Sequence, residues 1–147
     1  MCTDAIELTI VTDATFSEET KTTGIAAVLL DETGQPRLVC GKQIETSNIV
    51  EGELRAILFA LEEIPDDGAK LLLQSDNKNA VDYLNGDAHT SQNEMRIVRK
   101  IQNRIASKHL TVRFEWQSRN SNAIADAIAA VSTRNEEIGR ASCRERV

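Results

Sequence analysis

The stretch LTIVTDATF, residues 8–16, predicts a buried strand that carries a carboxylate. Its apolar residues, Ile10 and Val11 among them, favour a strand in the interior that runs from about Ala5 to Thr12. Asp13 follows this strand directly. A carboxylate at the end of an apolar strand is unfavourable unless another group pairs with it, although aspartate is also a common turn residue. Asp13 is therefore a candidate ligand or a turn residue, and the residues elsewhere in the chain distinguish the two roles.

The composition indicates one globular domain. A chain of 147 residues that is 41% hydrophobic and 27% charged is long enough for one ordinary core. We find no apolar run of the roughly 20 residues needed to span a membrane, and MCTDAIELTI lacks the pattern of a signal peptide. Cys2, Cys40 and Cys143 show no metal-ligand spacing and no even-numbered framework. We therefore expect a cytoplasmic protein with free thiols that does not associate with membranes and is monomeric by default.

The net charge of -6 argues against a strongly basic nucleic-acid-binding protein. It does not argue against an enzyme whose acidic residues bind cations, because bound divalent ions would offset part of that charge.

The remaining elements predict a mixed sheet with helices packed on it. Strands at about Gly24–Leu30 and Arg37–Ile44 form a hairpin around DETGQP, and the helix SNIVEGELRAILFALEEI follows. Next come the apolar strand AKLLLQSD, two helices, the alternating edge strand LTVRFEWQ with Trp116 facing inward, and a last helix at about Asn122–Thr133. This order predicts an α/β fold: a five-stranded mixed sheet, with three antiparallel strands and then two parallel ones, flanked by helices.

Four acids lie in apolar surroundings: Asp13, Glu53, Asp76 and Asp126. Glu53 continues the buried stripe of the first helix, and Asp76 ends the apolar fourth strand. Parallel strands 1 and 4, if adjacent, would bring Asp13 and Asp76 to one edge of the sheet. Converging carboxylates repel one another unless hard divalent ions such as Mg²⁺ bind them, and two such ions ~3.5–4 Å apart hydrolyse phosphodiesters. Each acid alone has a structural explanation; the four in this order favour a site.

Four motifs in this order resemble the ribonuclease H-like family. TDATF resembles its strand-1 motif, EGELRAILFALE its first-helix motif, and LLLQSDN its strand-4 motif. SRNSNAIADAIA resembles the pattern Pro-Arg-x-x-Asn-x-x-Ala-Asp-x-Leu-Ala of one branch, with Ser118 in place of the proline and Ile128 in place of the leucine. The resemblance covers about residues 5–133.

The resemblance implies a metal-dependent endonuclease that hydrolyses the RNA strand of RNA–DNA hybrids with two Mg²⁺ ions, or Mn²⁺. Asp13 would bridge both metals. Glu53 and Asp76 would hold the metal on the leaving-group side, and Asp126 would hold the metal that activates the attacking water.

Departures from the family pattern leave an alternative open. The loop QSRNSN lacks the histidine that many members carry, while His89 and His109 lie elsewhere and are expected at the surface. A basic handle helix is missing, and Gly52 precedes Glu53 where this branch often has alanine. The missing histidine, the missing handle and the net charge of -6 favour a catalytically weak or inactive ribonuclease H-like domain that binds nucleic acid or protein, whereas Gly52 does not indicate lost activity. A proofreading-type exonuclease is disfavoured, because Thr15 replaces the glutamate of its strand-1 motif.

Candidate nucleic-acid contacts lie beside the acids. Ser47, Asn48 and Asn77 are of a suitable type to contact 2′-hydroxyls in a minor groove, and Arg119 is a candidate phosphate contact. The amphipathic helix also carries a basic stripe, which either contacts a phosphate backbone or is solvated. Its members recur every four residues: Arg96, Lys100, Arg104 and Lys108.

The C-terminal tail differs in character from the rest of the chain. We expect the domain to span residues 1–136. The tail EIGRASCRERV, residues 137–147, resembles the translation of a sequencing adapter rather than a segment that evolved with this fold. An ordinary disordered basic tail is the other interpretation.

Overall fold

The computed structural model describes residues 6–88 and 90–118, and the backbone of residues 142–145. The predicted last helix, with Asp126 and Arg119, lies outside the described residues. The elements follow in this order: β1 (Glu7–Ser17), β2 (Thr22–Leu30), β3 (Pro36–Glu45), α1 (Ile49–Glu63), β4 (Lys70–Ser75), α2 (Lys78–Asn85), α3 (Gln92–Ser107), β5 (Thr111–Trp116) and β6 (Ser142–Glu145). No helix in the described part of the chain is long and apolar enough to cross a membrane.

The strands form one mixed sheet in the order β5-β4-β1-β2-β3-β6. β1, β2 and β3 are antiparallel, whereas β4 pairs parallel to β1 and β5 pairs parallel to β4. The predicted five-stranded sheet is thereby confirmed. β6 adds a sixth strand, antiparallel to β3.

β6 lies within residues 137–147, the C-terminal tail that resembles the translation of a sequencing adapter. Its register places Cys143 opposite Cys40, and Cys40 is disulfide-bonded. The prediction of free thiols is therefore wrong for Cys40, because no pattern in the sequence around Cys40 indicates a disulfide. An exposed sheet edge pairs with another segment through backbone groups whatever its side chains. The origin of residues 137–147 therefore stays a prediction.

Strand alternation divides the core between two faces of the sheet. On the first face, Ile10 and Ala14 of β1 belong to the apolar cluster that includes Leu54 and Ile57 of α1. α1 therefore covers this face. On the second face, β1, β2 and β3 each contribute one buried valine, and the three valines are partners in the strand register: Val11, Val28 and Val39.

Two details of the strands differ from the sequence predictions. β1 continues to Ser17 instead of ending near Thr12, because the hairpin with β2 extends its pairing to Ser17 and Thr22. Asp13 therefore lies inside β1 rather than at its end. Trp116 is 47% exposed and does not face inward. It is the last residue of an edge strand, and alternation alone does not show where the covering layer stops.

Candidate metal centre

Asp13 and Asp76 occupy equivalent places on neighbouring strands. The last parallel pair between β1 and β4 is Thr12 with Ser75. Asp13 and Asp76 are the next residue of each chain segment, and both are partly buried. By alternation Asp13 shares the second face with Val11. β4 ends here, whereas β1 continues beside β2, so β1 loses its parallel partner at Asp13.

Glu53 reaches the same place from α1. Its residue is only 2% exposed, although glutamate is rarely buried without compensation. α1 begins as the sequence predicts, since Asn48 Oδ1 accepts a hydrogen bond from Glu51 N at 2.9 Å. Glu51 Oε1 in turn accepts one from Ser47 N at 3.1 Å. This closed cap fixes the start of the helix, and therefore which residue faces the end of β4.

A glycine allows α1 to lie close to the sheet. A Cβ atom at Gly52 would lie 2.8 Å from Thr23 Cγ2 and 3.5 Å from Ala14 Cβ. Thr23 is fully buried, and its Oγ1 shares a hydrogen bond of 2.5 Å with Thr46 Oγ1. The departure from the family pattern at Gly52 thus has a packing reason. It lets α1 approach β1 and β2 closely at the residue before Glu53.

The structure brings Asp13, Glu53 and Asp76 together. One carboxylate oxygen from each lies within 4.8 Å of those from the other two. Three carboxylates at this spacing repel one another, and a hard divalent cation with oxygen ligands relieves that repulsion. The cluster could therefore hold a metal ion. The fourth predicted ligand, Asp126, lies outside the described residues.

The backbone around Asp76 is held by its neighbours. Asn77 caps α2, with its Oδ1 accepting from Ala80 N at 2.9 Å, and Asn77 N donates to Ser75 Oγ at 3.1 Å. From the adjacent strand, Trp116 Nε1 donates to the carbonyl oxygen of Asp76 at 3.1 Å. Sequence reasoning missed Trp116 as a neighbour of the site. The only available signal was the equal position of Ser75 and Trp116 at the ends of two consecutive parallel strands.

Three of the four candidate nucleic-acid contacts have structural roles in the helix caps, whereas Arg119 lies outside the described residues. Asn48 and Asn77 are helix caps, and the backbone of Ser47 contributes to the α1 cap. Their contact with nucleic acid stays a prediction. His109 is exposed in the turn after α3, as expected, whereas His89 lies outside the described residues.

The basic stripe of α3 divides into two halves. Arg104 pairs with Glu62 at 3.4 Å, and Lys108 Nζ donates to the carbonyl oxygens of Glu62 and Pro65 at 3.3 and 3.2 Å. This half therefore attaches α3 to the end of α1. Arg96 and Lys100 are exposed and form the solvated half.

A model of the reverse transcriptase-like family matches residues 11–132. The chain belongs to this family, which is ribonuclease H-like. The match begins inside β1 and includes the three clustered acids. No curated protein matches the chain.

Solved ribonuclease H structures share the fold of this family member. LC11-RNase H1, solved in complex with an RNA/DNA hybrid, is 19% identical with a TM-score of 0.69, over 80% of this chain and 89% of that one. RNase H1 from Halobacterium salinarum NRC-1 is 18% identical with a TM-score of 0.70, over 88% of this chain and 98% of that one. The N-terminal RNase H domain of Rv2228c from Mycobacterium tuberculosis, solved as a fusion with maltose binding protein, is 14% identical with a TM-score of 0.67, over 86% and 99%. At these identities the likeness shows the fold.

Proposed function

We propose that this protein is a divalent-cation-dependent endonuclease that hydrolyses the RNA strand of RNA–DNA hybrids. The observation that carries the proposal is the convergence of Asp13, Glu53 and Asp76 within 4.8 Å. The family supports it, and so does the fold shared with an RNase H1 that was solved with an RNA/DNA hybrid.

The three carboxylates fit hard cations, and we propose Mg²⁺, with Mn²⁺ as a substitute and Asp126 as a fourth ligand. When bound as a pair, such ions supply an activated water and neutralise charge on the phosphate and on the leaving oxygen. The protein contributes the arrangement of its acids. Burial of Glu53 keeps water from one side of the cluster, and the hydrogen bond from Trp116 holds the backbone of Asp76.

The test is cleavage of a labelled RNA–DNA hybrid by the purified full chain in Mg²⁺ or Mn²⁺, with double-stranded RNA and DNA as parallel substrates. We expect cleavage of the RNA strand of the hybrid and its loss with a chelator. Asp13→Asn should lower the rate by at least about 1000-fold, equivalent to about 4 kcal/mol of activation free energy. Asp67→Asn is the matched control, because Asp67 is exposed in the loop before β4. Hybrid cleavage that Asp13→Asn leaves unchanged would overturn the proposal.

The alternative is a ribonuclease H-like domain that binds nucleic acid or protein with little or no catalysis. The absence of histidine from QSRNSN favours it, as do the exposed Arg96 and Lys100. Calorimetric titrations with Mg²⁺ and with the hybrid separate the two functions. A catalytic site should bind Mg²⁺ through the clustered acids, whereas a binding domain should bind the hybrid with an affinity that does not depend on Mg²⁺. The cytoplasmic location and the monomeric state expected from the sequence stay predictions.

A further inference from the structure

The indole of Trp116 lies at the surface beside the acidic cluster. Trp116 is the only tryptophan of the chain, and 47% of its surface is exposed. Large aromatic side chains are usually highly buried. Trp116 is the last residue of β5 and pairs with Ser75, the residue directly before Asp76.

One hydrogen bond holds the indole, and a second holds the backbone that follows it. Its Nε1 donates to the carbonyl oxygen of Asp76 at 3.1 Å, and Gln117 N donates to the carbonyl oxygen of Ser75 at 2.9 Å. The end of β5 is therefore held to the end of β4 next to the register pair Ser75 and Trp116. The polar edge of the ring bonds to protein, while about half of the surface of Trp116 is open to solvent.

We propose that Trp116 is a substrate-contacting residue, whose exposed ring packs against the sugar of a nucleotide that flanks the cleaved phosphodiester. This inference rests on the proposed function, because it takes the acidic cluster as the place where the phosphodiester lies. Stacked bases of a duplex cover one another's faces, whereas every sugar presents C–H groups at the groove, so a contact with the sugar adds affinity without requiring a particular sequence. The N–H bond to Asp76 sets the position of that ring, and through the Asp76 backbone it couples the ring to the cluster.

Two substitutions distinguish the contribution of the aromatic ring from the contribution of its hydrogen bond. Trp116→Phe keeps an aromatic surface and removes the donor, whereas Trp116→Ala removes both. We expect Trp116→Ala to raise KM for the hybrid by at least about fivefold, equivalent to about 1 kcal/mol of binding free energy. Trp116→Phe should keep KM within about threefold, because the aromatic surface remains. Ile6→Ala is the matched control, because Ile6 is an exposed apolar residue next to the other end of β1.

Intrinsic fluorescence tests the contact in the full chain without relying on folding of the alanine variant. The Asp13→Asn protein is titrated with a 12-base-pair RNA–DNA hybrid in Mg²⁺, and binding is followed separately by anisotropy of a label on the hybrid. Because Trp116 is the only tryptophan, its emission reports on this site alone. We expect quenching that saturates together with the anisotropy.

The failures of the two proposals are distinguishable. Unchanged emission at saturating hybrid would overturn the role of Trp116, whatever the rate of cleavage by the wild-type chain. An unchanged KM for Trp116→Ala would also overturn it. Quenching by the hybrid together with absence of cleavage by the wild-type chain would support the contact and overturn the nuclease proposal instead.

Discussion

The substitution Gly52→Ala tests whether close packing of α1 places Glu53. An alanine Cβ would lie 2.8 Å from Thr23 Cγ2. Carbon atoms pack at about 3.5–4.0 Å, so the helix or Thr23 must move by roughly 0.7 Å or more. Thr23 is fully buried, and rotation of its side chain would break the 2.5 Å hydrogen bond to Thr46. We therefore expect the helix to move, and Glu53 with it.

Two opposing free-energy terms decide the sign of the effect of Gly52→Ala on stability. Alanine is favoured over glycine inside a helix by about 1 kcal/mol. Overpacking a buried contact costs about 1–3 kcal/mol. The expected result is a net loss of about 1 kcal/mol in the free energy of unfolding. For a domain of this size that corresponds to a melting temperature lower by about 2–4 °C. Displacement of Glu53 should also weaken Mg²⁺ binding, which calorimetry measures directly.

Thr23→Ser provides the matched rescue. It removes the Cγ2 atom that meets the new Cβ and keeps the hydroxyl that bonds to Thr46. In a double-mutant cycle, Gly52→Ala should therefore be less damaging in the Thr23→Ser background than alone, with a coupling energy of about 1–2 kcal/mol. A melting temperature of the single Gly52→Ala protein well above the assay temperature shows that its loss of Mg²⁺ affinity comes from repositioning of Glu53 and not from unfolding, and Mg²⁺ affinity should recover in the double variant. A Gly52→Ala protein that is about 1 kcal/mol more stable, with unchanged Mg²⁺ affinity, would refute the reasoning.

Two further predictions concern regions away from the metal centre. Arg113 donates two hydrogen bonds of 2.9 Å to Glu7 and holds the pKa of that carboxyl below its usual range. The ion pair therefore stabilises the fold at neutral pH, and this stabilisation is lost as the pH falls through the lowered pKa. The difference in melting temperature between wild type and Glu7→Gln should thus shrink on acidification, whereas a constant difference would contradict this; exposed Glu19→Gln is the control. Removal of residues 137–147 should leave Mg²⁺ affinity unchanged, because β6 pairs with β3, at the far side of β2 from β1. A loss beyond about fivefold, near 1 kcal/mol, would show that the tail supports the site.

Local signals in the sequence predict the elements that carry the site. The cap at Asn48 and Glu51 sets the start of α1, and the apolar run before Asp76 indicates a strand, although β4 is fully buried on one face only. The rule that adjacent parallel strands end at one edge then accounts for the proximity of Asp13 and Asp76. These features could be predicted because each depends on residues close together in the chain or on a general rule of sheet topology.

Other features depend on contacts that no local pattern contains. The end of β1 is set by pairing with β2 as far as Ser17 and Thr22, so the apolar run alone predicts a strand that is too short. At Gly52, helix propensity favours alanine, whereas the requirement for glycine comes from Thr23 on another element. The exposure of Trp116 depends on where the layer that covers the edge strand stops.

The unequal lengths of β1 and β4 explain how acids from both faces of the sheet meet. α1 packs on the first face, where Gly52 lies against Ala14, while alternation directs Asp13 to the second face. A continuous sheet would separate Glu53 from Asp13. β4 ends at Ser75, however, and beyond this residue no strand in the described part of the chain flanks that side of β1. Glu53 can reach past the end of β4 to the other two acids. The end of β4 at Ser75 therefore allows the three carboxylates to meet, because Asp13 lies one residue beyond the last parallel pair.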